Sequence, residues 1–213
     1  MFENITRVAL IANGEIQDLE WTASQLRQFP FLVAVDGGLN HCRRMQLQPD
    51  LLVGDLDSVA PEILGFYASV PTLRFPSLKD ETDLELAIEA LIQKNVREIA
   101  VFGGLGKRMD HTLSNLCLMH RHPQQVRMEG EHETLFFLKK AQVIPTFPGQ
   151  VISLIPFQGS ATGVCSKGLK WELVNYTLDS RHVSQSNISE GAGVELTLDA
   201  GSVLCCLQRK INT

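Results

Sequence analysis

The sequence predicts an α/β N-terminal domain built on a mostly parallel sheet, followed by a C-terminal all-β sandwich. Three observations carry this. Short, wholly apolar runs alternate with helix-period segments up to about residue 125. Beyond that point strand-like runs recur with no helical period. Turn signals, including Pro148-Gly149, Gln158-Gly159 and Ala200-Gly201, separate those later runs.

In the first half, residues 8–11, 32–35, 51–53 and 99–102 read as buried strands. Helices are expected over 16–28, 38–45, 61–67, 83–94 and 110–121. The clearest is 83–94, where Leu84, Ile88, Leu91 and Ile92 share one face and Thr82-x-x-Glu85 forms a capping box. In the second half, strands are expected over 134–138, 151–155, 169–173, 194–198 and 203–207. Domains 1–125 and 126–213 follow, with the junction between His122 and Thr134.

Composition excludes several classes. Nineteen Lys and Arg stand against 24 Asp and Glu, a net charge of −5, which argues against a nucleic-acid backbone binder. With 44% hydrophobic and 20% charged residues, the chain is ordinary for a globular protein with a sizeable core. The five cysteines (Cys42, Cys117, Cys165, Cys205 and Cys206) are odd in number and form no C-x-x-C, so neither a disulfide framework nor a zinc site is expected. A reducing, cytoplasmic setting fits. Cys205-Cys206 alternate faces of a strand and read as packing residues. The apolar run at 8–12 is closely flanked by Glu3, Arg7 and Glu15, unlike a secretory leader. The charge-free stretch 141–166 contains three prolines and three glutamines, so it reads as β-structure and no membrane span is expected.

The chemistry-bearing residues sit where strands end, the edge at which open α/β sheets bind ligands. Residues 33–35 run into Asp36-Gly37-Gly38, which suits either a helix cap or close backbone approach to a phosphate. The strand over 51–53 ends in Gly54-Asp55-Leu56-Asp57-Ser58. In an extended chain Asp55 and Asp57 share a face about 7 Å apart, a repulsion that a divalent cation relieves. Lys79-Asp80-Glu81-Thr82-Asp83 opens the best amphipathic helix; the macrodipole alone explains Asp83, and the Lys79 amine is a point charge suited to phosphate. After residue 102 come Gly103-Gly104-Leu105-Gly106-Lys107-Arg108-Met109-Asp110-His111. Backbone donors, two cations and a helix start there suit an anion, although the stretch is neither a Walker A loop nor G-x-G-x-x-G. Together the four loops point to a metal–polyphosphate site.

The ordered set resembles the thiamin pyrophosphokinase family. It comprises Asp36-Gly-Gly, Gly54-Asp-Leu-Asp-Ser58, Lys79-x-x-Thr82-Asp83 and Gly103-Gly-x-Gly-x-Arg108-x-Asp110-His111-x-x-x-Asn115. In the second half Gly168-Leu-Lys-Trp171-x-Leu173 and Ser186-Asn187-x-x-x-Gly191 continue it, so the likeness spans nearly the whole chain. The resemblance implies an enzyme that works as a homodimer and transfers the β,γ-diphosphoryl group of ATP to the hydroxyl of thiamin, giving thiamin diphosphate and AMP. It implies that Asp55, Asp57, Asp83 and Asp110 form the acidic Mg²⁺–triphosphate centre, with Asp55, Asp57 and Asp83 on the metal. It places Asp36, Gly37, Lys79, Thr82, Lys107, His111 and Asn115 around ATP, with Arg108 and Lys79 on phosphates. Ser186 and Asn187 would lie near thiamin, in a pocket completed across the dimer.

Thiamin carries a fixed cation, so an acidic cleft and an aromatic face would both attract it. Trp171 offers such a face, though a sandwich tryptophan is first read as core. The family often carries an aromatic just after Ser-Asn, whereas Ile188-Ser189 stands here. His111 either caps the helix or lines the site, and His120 and His122 read as a polar helix end. Two alternatives remain: a related diphosphokinase acting on another alcohol such as a hydroxymethylpterin, and a non-catalytic nucleotide or thiamin sensor.

Overall fold

The structure is a computed structural model that describes residues 5–76, 80–138 and 140–210. It forms two compact units, one up to Glu131 and one from His132. The first runs β1 (Arg7–Ile11), α1 (Leu19–Leu26), β2 (Leu32–Val35), α2 (Gly38–Arg44), β3 (Leu51–Val53), α3 (Pro61–Phe66), β4 (Thr72–Leu73), α4 (Asp83–Gln93), β5 (Glu98–Phe102), α5 (Met109–Arg121) and β6 (Val126–Glu129). All its strands pair in parallel, in the order β6-β5-β1-β2-β3-β4. Val8, Ala9, Leu10 and Ile11 of β1 are fully buried, as are Val33 and Ala34 of β2 and Ile99, Ala100 and Val101 of β5. Strands covered on both faces read as continuous apolar runs, which is why the sequence shows them. Because β1 lies between β2 and β5, the strand order reverses beside it, opening a crevice at the carboxyl ends of these strands.

Four of the five helices start and end within one residue of the sequence expectation. Thr82 caps α4 as its pattern implies, its Oγ1 accepting from Glu85 N at 3.2 Å. The exception is α1, expected over 16–28. Asp18 caps it by accepting from Trp21 N, and Glu131 Oε1 accepts from the Gln17 and Asp18 amides, so residues 12–18 form a tethered loop instead. Strands β4 and β6 were not marked in the sequence, one being two exposed residues and the other half buried. β6 follows the expected 125/126 junction yet pairs in parallel with β5, and the break after Glu131 falls inside the window between His122 and Thr134.

The second unit contains β7 (Glu133–Leu138), β8 (Gln142–Pro145), β9 (Val151–Pro156), β10 (Ala161–Lys167), β11 (Tyr176–Leu178), β12 (Ser184–Ile188), β13 (Gly193–Thr197) and β14 (Val203–Gln208). Its antiparallel pairings give two layers, β12-β9-β14-β7 and β11-β10-β13-β8. Ile152, Leu154 and Cys205 from one layer share a core with Val164, Leu178 and Leu196 from the other, as in a sandwich. Cys205 is buried and Cys206 half-buried, the alternation expected of a strand.

The strand expected over 169–173 is absent. Gly168 enters that segment at φ +90°, and Leu169 alone makes a β-bridge, to Ser189. Side chains replace part of the ladder: Trp171 N donates to Asn187 Oδ1 and Leu173 N to Ser166 Oγ, while Lys170 N still donates to Ile188 O. Among the described residues, no helix is long and apolar enough to cross a membrane.

Glu98, at the start of β5, accepts from Arg7 Nε and Arg127 Nη1, each at 2.7 Å. Burial pushes its carboxyl up, but the two guanidinium groups outweigh that and hold it below its ordinary value. A carboxylate depressed in the folded state stabilises above its unfolded pKa, and the contribution is lost as pH falls through the folded pKa. Glu98→Gln is therefore expected to melt below wild type at neutral pH. The gap should close as the pH is lowered from about 5 to about 3. Thermal melts across that range check this, and a constant gap contradicts it.

Candidate active site

The parallel register brings four loops to one edge of the first sheet. Ile11 stands opposite both Ala34 and Phe102, and Val35 opposite Val53. Asp36 therefore leaves β2 beside the end of β3, and its amide donates to Val53 O at 2.8 Å. Its backbone is left-handed, at φ 45°, a conformation that aspartate tolerates better than most residues.

Gly54 follows β3 at φ +131°. A Cβ there would lie 3.1 Å from Asp83 Cγ and 3.3 Å from Asp36 Cβ, so glycine lets both acids close over the strand end. Leu56, also left-handed but buried, separates Asp55 from Asp57. The Asp57 amide donates to Asp55 Oδ1 at 3.2 Å, and Ser58 Oγ to Asp57 Oδ1 at 3.0 Å. Asn40 of α2 holds this turn through Ser58 O.

Asp36, Asp55 and Asp57 each offer a carboxylate oxygen within 4.8 Å of the other two. Unit charges at that separation repel by roughly 1 to 3.5 kcal/mol per pair between bulk-water and near-surface dielectric limits. Asp36 Oδ1 tells the same story: among the described residues it is buried without a hydrogen-bond partner. Hard oxygen donors, mutual repulsion and an orphaned carboxylate oxygen together fit a divalent cation. The sequence expectation put Asp83 beside Asp55 and Asp57 on the metal, whereas the trio that the fold draws together contains Asp36. Asp83 opens α4 and lines the same cavity next to Gly54.

The loop after β5 forms the facing wall. Asn115 Nδ2, from α5, donates to Gly104 O at 2.8 Å and fastens the glycine turn to the helix. Lys107 sits at φ 57° and donates to Asn13 O at 2.7 Å. Arg108 pairs with Asp110, with Nε 3.1 Å from Oδ1. That bond is the main cause of the raised guanidinium pKa and of the lowered carboxyl pKa. Both side chains are more than 60% exposed, so the pair contributes little to stability and leaves the guanidinium free to reorient.

These loops enclose a cavity of about 560 Å³. Of the expected residues, Asp36, Asp55, Asp57, Thr82, Asp83, Lys107, Arg108, His111 and Asn115 line it. Gly37 does not line it but caps α2 against the Asn13 side chain, and Asp110 is held by Arg108. Lys79 lies outside the described residues. Sequence reasoning missed Asn13 and Gly14, which also line the cavity. Their signal was present: the apolar run at 8–12 leads into Asn-Gly, the same strand-end pattern as in the other loops.

In the second unit, Trp171 is 54% exposed, which overturns its reading as a core tryptophan. Its backbone is clamped instead by Asn187, which is 2% exposed. Asn187 Oδ1 accepts from Trp171 N at 3.2 Å and Nδ2 donates to Trp171 O at 2.7 Å. Ser186 is exposed and left-handed at φ 56°, its amide donating to Ser153 Oγ.

Family models match both halves: "Thiamin pyrophosphokinase, catalytic domain" over residues 22–129 and "Thiamin pyrophosphokinase, vitamin B1 binding domain" over 138–203. A thiamine pyrophosphokinase of Oryza sativa subsp. japonica is 26% identical over 212 residues, covering 85% of this chain and 78% of the relative. One from Bacillus subtilis is 27% identical over 150 residues, covering 67% and 70%. Among solved structures, thiamin pyrophosphokinase from Candida albicans superposes with a TM-score of 0.84 at 19% identity, covering 99% of this chain and 91% of the other. With a catalytic-domain model on the strand-end cavity and a vitamin B1-binding model on the sandwich, the chain belongs to the thiamin pyrophosphokinase family.

Proposed function

We propose that the chain transfers the β,γ-diphosphoryl group of ATP to the hydroxyl of thiamin, giving thiamin diphosphate and AMP. The observation that carries this is one cavity where an acidic trio faces a glycine–lysine–arginine turn, in a chain that both domain models of one family match. Asp36, Asp55 and Asp57 would hold a divalent cation, in our reading Mg²⁺, with Asp83 beside them. Bound there, the ion would screen the triphosphate's charge. The thiamin hydroxyl oxygen forms a bond to the β-phosphorus, its proton leaves, and the bridging oxygen departs with AMP. Backbone amides of the glycine turn, Lys107 and Arg108 face the charge that grows on the transferred group. Thr82, His111 and Asn115 shape and fasten the walls.

In the second unit we assign the exposed Trp171 indole and Ser186 to thiamin. Asn187 acts through them, holding Trp171 by its backbone. A pterin-directed enzyme would have no use for a vitamin B1-binding domain, and a sensor would have no need of the acids and Arg108, all of which are present. We read the enzyme as a cytoplasmic homodimer with a shared site.

Production of AMP and thiamin diphosphate from ATP, Mg²⁺ and thiamin is the primary test. Three results follow from the site. Saturating Mg²⁺ is expected to raise the melting temperature of the wild-type chain, and Asp36→Asn to abolish that rise. A calorimetric scan checks this, and an undiminished shift removes Asp36 from the metal.

Arg108→Lys keeps the charge but loses the bidentate fork. It should lower kcat about 10- to 1000-fold with little change in KM for thiamin. Near-normal kcat would leave Arg108 as only a partner of Asp110. Finally, mixing inactive Asp83→Asn chains with inactive Trp171→Ala chains should restore activity through hybrid dimers; none after subunit exchange counts against a shared site.

A further inference from the structure

The loop after β1 is bound to the loop after β5 beyond the ends of both strands. Ala12 N donates to Phe102 O at 2.8 Å, Gly14 N to Gly103 O at 2.7 Å and Glu15 N to Leu105 O at 3.1 Å. A Cβ on Gly14 would overlap the Gly103 carbonyl, so only glycine permits this approach. Glu131 fixes the far end of the loop through the Gln17 and Asp18 amides.

A third support comes from α2. His41, 5% exposed, places Nε2 2.9 Å from Gly14 O. A carbonyl only accepts, so the proton sits on Nε2. Nδ1 lies 3.4 Å from Arg44 Nη1, a donor, and so serves as an acceptor. Burial is the strongest influence on the ring and lowers its pKa; the Gly14 bond raises it, and the Lys107 and Arg44 charges lower it further. The ring is therefore neutral, in one tautomer, at physiological pH. One residue before Gly14, the Asn13 carbonyl accepts from Lys107 Nζ at 2.7 Å, and Asn13 Oδ1 lies 3.4 Å from the same ammonium. An ammonium has three donors, so Lys107 keeps capacity for an anion in the cavity it lines.

We propose that His41 is a positioning residue for nucleotide phosphate: by fixing the Gly14 carbonyl it orients the Asn13 carbonyl, which in turn aims the Lys107 ammonium into the cavity. His41 does not line the cavity and belongs to none of the site motifs. The inference rests on the reading of that cavity as the ATP site. It differs from a packing role because it runs through one donor atom and ends on one cation.

The test uses the full chain and a non-hydrolysable ATP analogue with Mg²⁺, read by titration calorimetry, with steady-state kinetics alongside. His41→Leu keeps bulk and removes the donor, and should weaken analogue binding and raise KM for ATP roughly tenfold, with kcat falling as well because Lys107 also faces the transferred group. His41→Gln, whose Nε2 reaches as far as that of histidine, should restore binding to within about threefold of wild type. In a Lys107→Met background, His41→Leu should add nothing further, because the atom it positions is gone.

Should the leucine variant fail to fold, His41→Asn takes its place: the same amide, one bond too short for Gly14 O. Additive effects in the Lys107→Met background overturn the proposal. So does glutamine behaving like leucine or asparagine, or an unchanged KM in His41→Leu. A wild-type chain that binds no analogue overturns the reading of the cavity itself, and so marks a different failure.

Discussion

Parallel pairing at the centre of the first sheet is the constraint on which the rest depends. Parallel strands must all finish at the same edge, and β1, flanked by β2 and β5, is where their order turns around. Burial keeps that arrangement in place. Each large aliphatic side chain of β1 and β5 removed from water contributes about 1.5–3 kcal/mol, and Val8, Leu10, Ile11, Ile99 and Val101 are fully enclosed. A register shift of one residue along β2 would move Asp36 into this apolar layer, at a cost that an unpaired buried carboxylate cannot recover.

That rigid base supports unfavourable features at the strand ends. Asp36, Leu56 and Lys107 hold left-handed backbones, each costing on the order of 1–3 kcal/mol, and all three lie in the loops around the cavity. Three carboxylates are pressed together there against their own repulsion. Strain and like charge at one edge of an otherwise well-packed unit are what an anion-and-cation site requires. The groups are oriented before the ligand arrives, so binding energy is not spent on arranging them.

The second unit solves a different problem by similar means. Its segment around Trp171 has left the sheet, and backbone groups that a ladder would have paired need partners. Asn187, buried and fully engaged, supplies both a donor and an acceptor to Trp171. Polar burial thereby holds an aromatic ring at the surface, and the Lys170 ammonium, 4.9 Å from the ring centroid, already marks it as a face that attracts cations.

Much of this was legible in the residues. Apolar runs doubly buried in a parallel sheet are unmistakable, and Thr82 and Pro61 placed their helix starts because capping chemistry is local. The acids and glycines after residues 35, 53 and 102 were legible for the same reason: a strand that stops abruptly at polar residues announces its own end. What sequence left open was set by contacts distant along the chain. Asp36 joins Asp55 and Asp57 because β2 and β3 are neighbours in register, which no spacing within either loop encodes. Glu131 shortens α1 from more than 110 positions away. Trp171 faces outward because Asn187 claims its backbone, where apolar content alone pointed inward. Short-range steric and hydrogen-bond preferences are written locally and can be read locally; which loop ends meet, and which side chain captures a stray amide, depends on pairing geometry that exists only once the chain has folded.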